Sequence, residues 1–207
     1  MPRLFLFVLL AALSAPLPAF TVNIAAGTPR MVFLQVGLGS FNGLYDAGGT
    51  PLNNTTINKV SVNVGAAVVG NRTAQAMTTD STQAESFWDS FIFCNPPQEL
   101  YIGGFYRATN NGTGTVLVTA TVPGALVDGG GDTLSFSKIS WTSRGNGDGN
   151  IAQPFPAGTF NAGAVQTIGS IAQNQWAESC WTFSYKNDSV PAASTYTGRV
   201  LYTLTAP

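Results

Sequence analysis

Hydrophobic side chains recur at every second position along most of this chain, and that period suits a β-strand with one face on a core and the other in water. From Tyr196 to Ala206 the alternate residues are Tyr, Gly, Val, Tyr, Leu and Ala, with mostly Thr and Arg199 between them. Just before it, Trp181, Phe183 and Tyr185 alternate with Thr182, Ser184 and Lys186. The two runs predict a terminal pair of strands joined through Asn187 to Pro191, with Cys180 placed to tie the pair to Cys94. No window has a sustained 3.6-residue period with charged surface positions, so helix should be minor.

The same reading extends upstream. Phe20, Val22, Ile24 and Ala26 form a short alternating arm that ends at Gly27-Thr28-Pro29. Val32, Leu34, Val36 and Leu38 then alternate with Met31, Phe33, Gln35 and Gly37, so both faces of that strand carry bulk and should lie against another layer or another chain. Gly39 to Thr56 reads as a loop. Val60 to Val68 alternates again, and Gly70 to Gln83 is a polar connection with room for one helical turn. Phe87 to Cys94 is the most aromatic run, expected to pair as a hairpin with Leu100 to Arg107 after the prolines at 96 and 97 reverse the chain. Thr115 to Val122 should turn Val116, Val118, Ala120 and Val122 inward. Leu134 to Trp141 and Thr159 to Ile171 complete about ten short strands. The predicted fold is all-β, a single antiparallel β-sandwich of Ig-like or jelly-roll-like form over residues 20–207.

Residues 1–19 read as a secretory signal peptide. Arg3 gives a positive start, Leu4 to Leu13 is an apolar run too short to span a bilayer, and a small, proline-broken exit ends at Ala19. No later segment is expected to cross a membrane. Two cysteines in an exported chain predict one disulfide, Cys94 to Cys180.

Charged residues make up only 9% of the chain and the formal net charge is −1, so the basic surplus that phosphate backbones demand is missing and nucleic acid is excluded as a partner. The chain contains no His. Ser-His-Asp and Cys-His catalysis and His-ligated metal centres are therefore ruled out, and the expected protein is not an enzyme and needs no cofactor or metal. A glycosidase pair of carboxylates would have to come from Glu85, Asp89 and Glu99 around the aromatic run. Asp89 falls on the strand face of Phe87 and Phe91, but solubilising loop ends are the plainer reading. Asn146 to Asn150, and Asp128 with Asp132, have oxygens at calcium-like spacing, yet 146–150 carries a single formal charge and reads better as a connecting loop. Trp88, Trp141, Trp176 and Trp181, with Tyr101 and Tyr106, are the candidates for a glycan-stacking platform, Trp88, Trp141 and Trp176 foremost, set against burial in the core. Five Asn-X-Ser/Thr sequons, at Asn53, Asn54, Asn71, Asn111 and Asn187, read as turn residues.

The ending from Tyr196 to Pro207 resembles the last strand of bacterial exported β-sandwich proteins. Chaperone-usher fimbrial subunits are similar in their alternating final strand, their paired cysteines and their alternating N-terminal arm. The resemblance implies that Phe20, Val22 and Ile24 add a strand to another copy or to another envelope protein, with Met31 and Phe33 as the apolar surface that the partner covers. The last strand is also similar to that of WxL cell-surface domains, with Tyr202 where those have Trp. Together these features predict a secreted or envelope-associated bacterial protein, structural or adhesive and fimbria-like. A carbohydrate-binding module is the alternative, with a His-free glycan-active enzyme behind it.

Overall fold

A computed structural model describes residues 22–44, 56–145 and 152–205, so residues 1–19, read as a leader, Phe20, and residues 146–150, read as a calcium-like or connecting loop, lie outside the described residues. In chain order the strands are β1 (Val22–Asn23), β2 (Met31–Val36), β3 (Gly39–Leu44), β4 (Val60–Ser61), β5 (Gln75–Ala76), β6 (Thr78–Thr79), β7 (Leu100–Arg107) and β8 (Thr115–Thr121). They continue with β9 (Ala125–Val127), β10 (Thr133–Ser135), β11 (Ile139–Arg144), β12 (Gly158–Thr159), β13 (Val165–Ala172), β14 (Gln175–Tyr185) and β15 (Leu201–Thr205). Ten of these fifteen have three residues or more, and the only helix among the described residues is a single 3-10 turn at Phe136–Lys138. The chain is all-β, with antiparallel sheets packed face to face.

The larger sheet runs β12-β11-β14-β7-β2-β3. Its axis is β14, the longest strand, which pairs along its first half with β7 and along its second half with β11. That leaves one side of each half open. β1 fills the first gap, with Val22 opposite Trp176, and β5 fills the second, with Tyr185 opposite Gln75. The smaller sheet, β13-β8-β15, lies across one face. Val116, Val118 and Ala120 of β8 meet Ile102, Ile171 and Trp181 in the core between the sheets, all fully buried. Strict alternation in β8 produces this: its intervening residues remain on the outer side, with Leu117 exposed.

Three expectations change in the framework outside the aromatic run. The last two strands do not pair with each other, because β14 belongs to the larger sheet and β15 pairs with β8 in the smaller one. The link between them crosses the sandwich edge rather than turning back, and buried Asn187 fixes its start by accepting from Gly70 N and donating to Val68 O and Asn71 Oδ1. Gly39–Leu44, read as loop, is a strand paired with β2 across a two-residue turn. Gly37 takes φ 59° there, a conformation that glycine enters at little cost. Finally, Gly70 to Gln83 contains no helical turn but the short strands β5 and β6.

Candidate functional site

The outer face of the larger sheet, away from the core, carries Phe33 from β2, Tyr101, Gly103 and Phe105 from β7, and Trp176, Glu178 and Cys180 from β14. A sheet face this apolar needs a cover. The segment from Ser81 to Glu99 supplies it. Contrary to expectation, Phe87 to Cys94 is not a strand: residues 87–89 turn, and one isolated bridge, Glu85 to Ile92, closes the loop. Asp89 and Ser90 explain the failure of the strand reading. The Asp89 carboxylate accepts from Phe91 N at 3.1 Å, and Ser90 takes φ 62° with its N–H on Ser86 O.

Three kinds of contact lock this loop to the sheet. Cys94 is bonded to Cys180, with Cα atoms 5.6 Å apart and both residues buried. The Glu178 carboxylate accepts from Ser86 Oγ at 2.8 and 3.0 Å and from the Tyr101 hydroxyl at 2.8 Å. Phe87 stacks on Phe33 with ring centroids 4.9 Å apart, and Phe87 and Trp88 both lie against Trp176. Gly103 makes room for the polar contact: a Cβ there would run into the Tyr101 phenol, whose ring lies along the strand toward Glu178, the residue opposite Gly103. Burial, reinforced by the Glu178 charge, pushes the Tyr101 phenol far above its ordinary pKa, so it is a neutral donor.

The covering is one-sided. Phe33 and Trp176 are buried, but Phe87 is 57% exposed, Trp88 46%, Phe91 74% and Ile92 71%. Four large apolar side chains thus face solvent from a loop that is itself held fast.

The structure separates the aromatic residues expected to form one platform, and buries Trp181, Tyr101 and Tyr106 outright. Trp88 and Trp176 meet here, with centroids 5.9 Å apart. Trp141 is 4% exposed in the core on the opposite side of the sheet, packed on Phe160 and Trp181, with Nε1 donating to Pro156 O. It belongs to no surface site, because residue 141 alternates inward on β11 with Ile139. The carboxylates are likewise dispersed. Glu99 is buried in a bidentate pair with Arg144 and also accepts from Asn95 N. Asp89 holds its own turn. Asp128 caps its glycine loop, accepting from Gly130 N and Asp132 N. A hydrogen bond from the Ser194 hydroxyl, followed by the loop amides, holds its carboxyl below the usual value.

The arm expected to be donated lies in its own sheet. Val22 pairs with β14, Ile24 N donates to Asn174 O at 2.7 Å, and both side chains pack against the Phe33 and Trp176 cluster. Phe33, expected to be covered by a partner, is covered by the chain's own Phe87. Glu178 and Ser86 escaped the sequence reading, while Tyr101, expected in a glycan platform, is instead buried with its hydroxyl on Glu178. The available signal was Glu178 itself, a lone carboxylate in line with Trp176 and Cys180 on one strand face.

Compared with family models, with curated proteins and with solved structures, the chain matches none. The resemblance to fimbrial subunits and WxL domains therefore rests on its ending, arm and cysteines alone.

Proposed function

We propose that this chain is an exported, non-catalytic structural or adhesive protein that makes its contacts through the aromatic loop of its larger sheet. The exposure of Phe87, Trp88, Phe91 and Ile92 on a locked loop carries the reading. Apolar surface gathered in one place marks an interaction site, and a loop already ordered loses little entropy when it binds. Export is supported by the leader-like start and by the buried disulfide. The absence of His, and the engagement of Glu99 by Arg144 and of Glu178 by two hydroxyls, support a non-catalytic role. A fimbria-like form of the same role would require Val22 and Ile24 to leave β14 and take the equivalent place in another copy.

A carbohydrate-binding form is favoured by one observation, the half-exposed Trp88 ring supported from beneath by Trp176. Binding of the mature protein to immobilised glycans, lipid vesicles and itself, compared with that of a Trp88→Ser/Phe91→Ser variant, tests the general reading. The parent should bind at least one of these and the variant should not. A parent that binds nothing, or a variant that binds equally well, defeats it.

A further inference from the structure

The loop has a graded composition. Phe91 and Ile92 are its most exposed apolar residues, while Phe87 and Trp88 lie closer in, against Trp176. We infer that this loop is an anchor for a lipid surface that is electrically neutral overall: Phe91 and Ile92 enter the acyl boundary and Trp88 sits at headgroup level, where amphipathic indoles are favoured. The inference rests on the reading of this loop as the contact surface and names its partner.

Three observations select this occupant. The first is side-chain type. Sugars stack on flat ring faces, which gives no reason to expose a branched aliphatic residue beside Phe91, whereas an acyl boundary accepts both shapes. The second is charge. Residues 81–106 contain no Lys or Arg, and Glu85 and Asp89 are exposed on the loop itself, so an anionic leaflet would be repelled and a zwitterionic one would not. The third is area. Four side chains of this size at these exposures present roughly 500 Å², below the ~800 Å² per partner of a standard stable interface, so this loop is too small to hold a second copy by itself. A bilayer requires no complementary surface, and the locked loop inserts without reordering.

The mature protein should co-sediment with phosphatidylcholine vesicles. Its tryptophan emission should shift to the blue and be quenched by brominated acyl chains, and a Trp88→Phe variant should lose most of that quenching. A Phe91→Ser/Ile92→Ser variant, checked for an unchanged circular dichroism spectrum, should bind at least about 100-fold more weakly. Added phosphatidylserine should not strengthen binding. The inference is overturned by no binding to phosphatidylcholine, by undiminished binding of the double variant, or by binding that depends on anionic lipid. A glycan or a second copy held through the same loop overturns it while leaving the contact-surface reading intact, whereas a protein that binds nothing defeats both.

Discussion

The Tyr101 hydroxyl donates to Glu178 Oε2 across 2.8 Å, joining neighbouring strands on the outer face of the larger sheet. Ser86 adds the loop to the same carboxylate. Glu178→Ala would leave two hydroxyls without their acceptor, both of them on buried residues. The expected cost is about 2 kcal/mol in urea unfolding, with faster proteolytic cutting near Phe91. A variant within about 0.5 kcal/mol of the parent would show that the carboxylate does not hold the loop.

Gly103→Ala should act on the same contact from below. The added methyl meets the Tyr101 ring, which is packed under the loop and has little room to move. Overpacking of this kind costs about 1–3 kcal/mol. Thermal unfolding measures it, and an unchanged midpoint would mean that the ring has another place to go.

Removing the disulfide should be the larger perturbation. The Cys94 to Cys180 bond closes a segment with a sequence separation of 86, for which chain entropy gives roughly 4 kcal/mol. A Cys94→Ala/Cys180→Ala variant should lose about that much in denaturant unfolding. Its Phe87 to Cys94 loop should also gain more in amide-hydrogen exchange over the parent than the sheet beneath it does. An equal gain in loop and sheet would contradict a specific role in anchoring the loop.

Acid should weaken the crossing between the sheets. Hydrogen bonds from Lys138 and then Lys186 hold the Asp188 carboxyl at about 2, against an ordinary 3.8. Because the folded value is the lower one, the contribution to stability is complete above about pH 4 and is lost as pH falls toward 2. Salt should reduce it, since the lysines and the carboxylate are partly exposed. Unfolding followed from pH 5 to pH 2 in the parent and in Asp188→Asn checks this. The variant should be less stable at pH 5 and less sensitive to acid, and parallel profiles would remove the assignment.

Several strands were legible from alternation alone. Val116, Val118 and Ala120 turn inward as their spacing requires, and Trp181, Phe183 and Tyr185 share the buried face of β14. The cysteine pair was legible too, because two cysteines have one intramolecular pairing available. The aromatic run was misread for a physical reason. Phe and Trp favour strands on average, but that preference reflects a pleated neighbour to pack on. Between residues 87 and 92 the Asp89 and Ser90 turn prevents a ladder, and the rings pack downward on Phe33 and Trp176 instead.

Periodicity, proline placement and the cysteine count determined the fold class and the covalent staple, because each acts through local backbone geometry or through chemistry open to only two residues. Which sheet receives β15, which tryptophan is exposed, and whether Phe33 meets its own chain or another were decided only in three dimensions. Alternation assigns a side chain to a face but does not say what lies over that face. Here the covering contacts join residues far apart in the chain: Cys94 to Cys180, Ser86 to Glu178 and Phe33 to Phe87.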